Sequence, residues 1–128
     1  MAHVPGDADA ANDLSLVLRL ETRDMSVLAL GDLEPDGQRG LLGAAPAGTL
    51  DADVVLVPHH GSPAQLPALA GAAGGRLALV SVGADNDFGH PAAPTLELYG
   101  RGGALVLRTD ECGAVVLVAR GGALAAQC

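Results

Sequence analysis

The side chains best suited to chemistry in this sequence are one aspartate and three histidines. Asp32 ends the segment VLALGD, His59 and His60 stand side by side in VPHHGSP, and His90 falls in FGHP. Carboxylate and neutral imidazole are both metal-binding donors, so these four residues are candidate metal ligands. Each also has an ordinary structural role available. An aspartate just before a helix caps it or makes an Asx turn, and paired histidines after a strand can be partly exposed loop residues. In an extended segment neighbouring side chains point to opposite sides. At most one of His59 and His60 then faces a given metal, and the other hydrogen-bonds behind it. Gly61 lets the backbone turn sharply after the pair, and Pro91 holds His90 extended. His3 lies near a flexible terminus and is expected to be solvated.

The elements that must position these residues follow from periodicity. LSLVLRLE, residues 14–21, alternates leucines with other residues, the period-two pattern of a strand with one strongly apolar face. SVLAL, 26–30, reads as its hairpin partner across a short polar turn. Pro35 opens a short, glycine-weakened helix in PDGQRGLLGA. VVLVP, 54–58, and RLALVSV, 76–82, are continuous apolar runs typical of strands buried on both faces. Between them Ser62 and Pro63 form an N-cap and N1 pair for a helix over PAQLPALAGAA. A second loop, GADNDFGHPAAP, leads to a short helix TLELYG, after which ALVLRT and AVVLVAR are expected to pair as a hairpin across DECG.

The resulting order, ββαβαβαββ, predicts an α/β fold: one mixed sheet with helices on one face. Residues 1–13 read as a flexible lead-in, 14–120 as the folded body and 121–128 as a tail. In this arrangement Asp32, His59, His60 and His90 all follow strands on one edge of the sheet, the usual place for an α/β site. Their convergence strengthens the metal reading beyond that of any one residue. The strands are apolar on both faces while the helices cover only one. A complement on the second face is therefore expected: another chain, a second copy or a missing segment.

Composition narrows the function classes. A chain of 128 residues is one domain's worth, and 49% hydrophobic residues with 17% charged ones make it a packed body rather than a disordered one. No apolar run is long enough for a membrane-spanning helix, and the opening MAHVPGDADAAND lacks the basic-then-apolar order of a secretory signal. The net charge is −8, and the seven basic residues, all arginines, are scattered, which disfavours autonomous grip on nucleic acid. Aromatics are nearly absent, with Phe88 and Tyr99 standing alone. Asp85, Asn86 and Asp87 do not make a calcium loop, because Leu96 stands where the bidentate glutamate belongs and no helix precedes them. No glycine-rich phosphate loop occurs. Cys112 and Cys128 form neither a CxxC metal motif nor a disulfide framework, and Cys112 reads as inert in a hairpin turn.

Taken in order and spacing, NDLSLVLRLE, VLALGDLEPDGQRGLL, ADVVLVPHHGS, LALVSVGADNDFGHPAAPTLELY and ALVLRTDECGAVVL resemble a known family. It is the second half of the metallo-β-lactamase-like domain of ComEC-type competence (DNA-uptake) proteins and their free-standing hydrolase relatives. The resemblance runs from Asn12 to about Leu117, and PHHGS and SVGADNDFGHP are its most specific strings. It implies an αββα sandwich with a zinc or manganese site at one edge. It also implies that Asp32 matches a metal-bridging aspartate and that His59, His60 and His90 match site residues, without deciding which histidine is the direct ligand. The implied activity is phosphodiester hydrolysis by metal-bound water, acting on DNA. The parent proteins are membrane-embedded, with this domain outside the membrane.

The family's HxHxDH motif, which supplies most ligands, is absent here, as is the metal motif that should precede Asn12. One carboxylate with one or two imidazoles falls short of three protein ligands. The sequence thus supports a metal-dependent, nuclease-like hydrolase of which this is the carboxyl half, inactive alone and completed by the missing amino-terminal half-domain or by self-association. The alternatives are a non-catalytic remnant or interaction module that needs a partner sheet and, more weakly, an α/β small-ligand binder.

Overall fold

The fold is taken from a computed structural model that describes residues 11–128. Residues 1–10, including His3 and most of the expected lead-in, lie outside the described residues. The chain builds a five-stranded mixed sheet, β1 (Leu18–Glu21), β2 (Ser26–Ala29), β3 (Ala52–Leu56), β4 (Gly74–Val80) and β5 (Leu105–Arg108), in that spatial order. β1 and β2 are antiparallel, and β2 to β5 run parallel. The parallel strands are joined by α1 (Pro35–Ala44), α2 (Pro67–Ala73) and α3 (Ala93–Gly100). Successive parallel neighbours linked by right-handed crossovers in one direction place all three helices on the same face. The core lies there, with Leu28, Val55, Ala78 and Val80 of the strands clustered with Leu69, Ala70, Ala73 and Tyr99 of the helices.

The register shows what the other face is made of. Leu18, Ala29, Leu56, Leu79 and Leu107 form one cross-strand row, and Leu20, Val27, Val54, Leu77 and Leu105 form the next. Residues directly opposite in a sheet share a face, so ten aliphatic side chains cover this side without a polar one among them. At its centre Val54 and Leu77 are buried, whereas Leu18, Leu20 and Leu105 at the margins are 46%, 54% and 55% exposed. The expected apolar second face is thus present.

The carboxyl-terminal strands differ from expectation. β5 does not turn back across DECG. Thr109–Cys112 form a short helix, α4, and β6 (Val116–Arg120) pairs antiparallel with β7 (Ala123–Gln127), so residues 121–128 hold a turn and a strand rather than a tail. The cause is local. Thr109 Oγ1 accepts from the Val82 amide at 2.7 Å and donates to the Val82 carbonyl at 2.8 Å, tying the end of β5 to the end of β4. Arg108 grips Asp110 through two contacts of 3.0 and 2.6 Å and Glu111 at 3.0 Å, which curls the chain. The β6–β7 tip is anchored at two places, by Gly121 N–H to Asp24 Oδ1 and by Arg76 to the Gly122 carbonyl, both at 3.1 Å.

Two further expectations are corrected. Cys112 and Cys128 form a disulfide with Cα atoms 5.0 Å apart, within the usual span of such bridges, and so tie α4 to the end of β7. The second helix starts at Pro67 rather than after Ser62. The Ser62 carbonyl is occupied by the hydroxyl of Thr95 and the side-chain Nε2 of Gln65, and the Leu66 backbone amide donates to Gln38 Oε1. Residues 62–66 therefore cross between helices as a hydrogen-bonded strap. No helix among the described residues is long and apolar enough to cross a membrane.

Candidate functional site

Asp32, His59, His60 and His90 all follow parallel strands at the carboxyl edge of the sheet: β2, β3 and β4 respectively. Gly31 makes the turn out of β2 at φ +57°, where a Cβ would stand 2.9 Å from that of Ser15. Ser15 Oγ accepts the Asp32 amide at 3.1 Å, and the Gly31 carbonyl accepts the His59 amide at 2.9 Å. The ends of β2 and β3 are thereby locked together.

His59 and His60 sit within a single turn of 3-10 helix, Pro58–Gly61, and both have left-handed backbones, φ 49° and 53°. Two successive non-glycine residues in that region cost on the order of 1–3 kcal/mol each and persist only where the surroundings hold them. Here the holding contacts are visible. The His59 ring nitrogen Nδ1 meets Glu34 Oε1, and His60 Nδ1 lies 2.7 Å from the Ser81 carbonyl. A carbonyl only accepts, so His60 carries a proton on Nδ1, and in the neutral ring the lone pair is on Nε2. That Nε2 stands 3.6 Å from Asp32 Oδ1. A ring fixed through one nitrogen with the other free is the arrangement in which histidines ligate metals.

The turn also changes how the pair is displayed. An extended segment would send the rings to opposite sides, but the left-handed turn leaves them 6.2 Å apart between centroids, edge to face. His59 is turned toward His90, 5.7 Å away. His90 is set by Asn86, whose amide nitrogen donates to its carbonyl at 2.7 Å and whose oxygen accepts its N–H at 3.1 Å. The His90–Pro91 peptide bond is cis. Burial, and then the neighbouring His59 and His60, push the His90 imidazole below its ordinary pKa, against an opposite pull from Glu34. Its buried Nδ1 has no hydrogen-bond partner among the described residues.

Glu34 is the site residue that sequence reading passed over. Its signal was spacing: in an extended GDLEP segment, Asp32 and Glu34 are i and i+2 and share a side, while Leu33 between them is 3% exposed and faces the core. Asn86, seen in the sequence only as part of a rejected calcium loop, fixes the loop that carries His90.

The residues present do not by themselves fit a catalytic zinc or manganese centre. Asp32 and His60 make one close pair, but His59 is engaged by Glu34. No group of three or more His, Cys, Asp or Glu side chains among the described residues is placed to hold a metal ion. A catalytic site takes three protein ligands.

The chain is 36% identical over 117 residues to ComE operon protein 3 of Bacillus subtilis (strain 168), a match covering 85% of this chain and 14% of that protein. It is 32% identical over 113 residues to competence protein ComA of Neisseria gonorrhoeae, covering 87% of this chain and 16% of that one. These similarities support kinship with a competence-protein family, and the chain spans only a small part of either relative's length. No family model matches the chain, and no solved structure matches it.

Proposed function

We propose, from kinship with one segment of two competence proteins, that this chain is the carboxyl half of a metallo-β-lactamase-type hydrolase domain. Its substrate class is a phosphodiester, as in DNA processed during uptake, and its metal is zinc or manganese. The observation that carries the reading is the His59–His60 turn. Backbone strain at two adjacent residues is retained there, and the His60 lone pair is aimed beside Asp32 at the carboxyl edge of the sheet. Strain kept at such an edge is characteristic of functional sites.

The chain contributes positioning to that chemistry. Ser81 fixes the His60 tautomer, Ser15 holds the Asp32 backbone, and Glu34 holds His59. The missing ligands are supplied from outside the chain, either by the amino-terminal half-domain that bears HxHxDH or by self-association. The all-aliphatic second face of the sheet supports this division, because a sandwich requires a second layer there. The Cys112–Cys128 bridge fits an oxidising compartment, as expected for a domain outside the membrane.

The test is calorimetric titration of zinc and manganese into the chain alone, and into the chain mixed with a separately made HxHxDH-bearing half, each with Asp32→Ala as control. The expected result is metal binding that is lost in Asp32→Ala, by the mixture only if the half-domain completes the site and by the chain alone if self-association does, with hydrolysis of a chromogenic phosphodiester by whichever binds. Absence of binding and hydrolysis in both the mixture and the chain alone defeats the proposal and leaves the second reading, an interaction module without catalysis. The exposed aliphatic margins of that face, Leu18, Leu20 and Leu105, are what favours that reading.

A further inference from the structure

We propose that Phe88 is a stacking platform for a nucleobase, held at the mouth of a pocket that shares His60 and His90 with the candidate site. The inference rests on the phosphodiester reading above and names the part of the substrate that this chain itself touches. The pocket has a volume of about 210 Å³ and is lined by His60, Val82, Gly83, Asn86, Phe88 and His90.

The chain has one phenylalanine, one tyrosine and no tryptophan. The two aromatics are used in opposite ways: Tyr99 is 5% exposed in the core and Phe88 is 81% exposed. A single exposed apolar side chain is ordinary; what sets Phe88 apart is that it is exposed on an immobilised loop. The Asn86 amide nitrogen donates to the carbonyls of Gly83 and His90 at 3.0 and 2.7 Å, and its oxygen accepts from the amides of Phe88 and His90 at 3.2 and 3.1 Å. Four bonds saturate a side-chain amide. The Phe88 ring lies nearly parallel to that of His90, at 16° and 5.9 Å between centroids, so one aromatic backs the other.

A flat heteroaromatic ring laid on Phe88 continues this stack, and every nucleobase offers such a face. None of the seven arginines lines the pocket, so contact through the uncharged base suits a chain of net charge −8 better than contact through phosphate. A base on Phe88 leaves its sugar and phosphate beside His60, which lines the same pocket. An aromatic peptide side chain also stacks on phenylalanine, but the neighbouring phosphodiester site favours the base.

The single phenylalanine makes the test direct, because its ring protons are the chain's only phenylalanine signals in a proton NMR spectrum. 2′-Deoxyadenosine, which is uncharged, is titrated against the chain without metal, with 2-deoxyribose and N-acetyltryptophanamide as comparison ligands. The expected result is a saturable upfield shift of the Phe88 ring and a shift of the His90 ring, produced by the nucleoside and not by the sugar. Stationary Phe88 signals, or a response to the tryptophan amide exceeding that to the nucleoside, overturn the proposal. In a second arm, (dA)6 binds more tightly than the nucleoside if the source is a strand, and equally if it is a free nucleotide.

Phe88→Ala weakens (dA)6 binding by roughly 5- to 150-fold, the worth of one base–aromatic stack. Phe88→Tyr retains affinity, and Phe88→Leu, which keeps bulk without a π face, behaves as Phe88→Ala. Unchanged Tyr99 signals confirm that each variant is folded. Equal binding by Phe88→Leu and wild type refutes stacking. No metal and no turnover enter this measurement, so it can fail while the hydrolase reading stands, and succeed while that reading falls.

Discussion

Gln38 is wholly buried, at 0% exposure, and its side chain fastens α1 to the strap that precedes α2. Its amide nitrogen donates to the Leu33 carbonyl at 2.8 Å and the Ala64 carbonyl at 3.3 Å, and its oxygen accepts the Leu66 amide at 2.7 Å. Gln38→Met keeps nearly the same length and removes all three bonds. The two shorter bonds matter most. Each leaves a backbone group without its partner, at about 1–3 kcal/mol apiece, and the apolar thioether recovers part of this. The expected loss is about 3 kcal/mol.

With a urea slope of about 1–3 kcal/mol/M for a small protein, the unfolding midpoint falls by about 1–3 M at unchanged slope. Arg39→Met, at an exposed position on the same helix, is the reference and should stay within about 0.5 kcal/mol. The damage should also reach the site, because the Gln38 contact at Leu33 adjoins Glu34. The His59 ring resonances, held through Glu34, should shift in Gln38→Met and not in Arg39→Met. A Gln38→Met chain as stable as Arg39→Met, with His59 unmoved, would refute the reasoning that this amide organises the edge.

Two further perturbations test the framework. The backbone and side-chain hydrogen bonds of Ser26, with a smaller contribution from Arg76, hold the Asp53 carboxyl below its ordinary value of 3.8. A depressed folded-state pKa gives stability that is present above the unfolded value and is lost as pH falls toward the folded one. The stability difference between wild type and Asp53→Asn should therefore be constant above about pH 5 and shrink below about pH 4 in urea melts; an undiminished difference at pH 2.5 contradicts it. Gly61 has φ +77°, and a Cβ there would lie 2.7 Å from that of Pro91. Gly61→Ala should cost on the order of 2 kcal/mol or more from strain and overlap. Gly43→Ala, in α1 with nothing within 4 Å, should add about 0.5–1 kcal/mol; equal thermal shifts for the two would show that space and dihedral angle do not decide.

Much of the scaffold could be read because its signals are local. Alternating leucines mark the apolar face of β1, although the strand begins at Leu18 rather than at Leu14, and the VVLV and LALV runs mark β3 and β4, since strand burial depends on side-chain period alone. Once those strands are parallel neighbours, topology alone brings the loops carrying Asp32, His59, His60 and His90 to one edge. What could not be read depends on partners distant in sequence. AVVLVAR pairs equally well, by pattern, with β5 or with the ALAAQ segment, and the choice is made by Thr109 hydrogen-bonding to β4. Ser62–Pro63 carries a good helix-start signal, but its backbone groups are claimed by Gln65 and Thr95. The left-handed turn at His59–His60 has no propensity signature. It is imposed by Glu34 and Ser81, 25 and 21 residues away, so the display of the two rings could not follow from the dipeptide.

The Cys112–Cys128 bridge has a consequence for the integrity of the molecule. The residues between the two cysteines form a covalent ring that contains β6, the exposed Gly121–Gly122 tip and β7. Exposed glycine tips are where proteases cut first. A cut at this tip would open the ring without dividing the chain, because both fragments remain joined through sulfur. Two-stranded hairpins are marginal by themselves, yet here the severed strands would stay confined to each other's neighbourhood. A nicked molecule would keep both pieces, heavier only by the water taken up in the cut, until a reductant separated them.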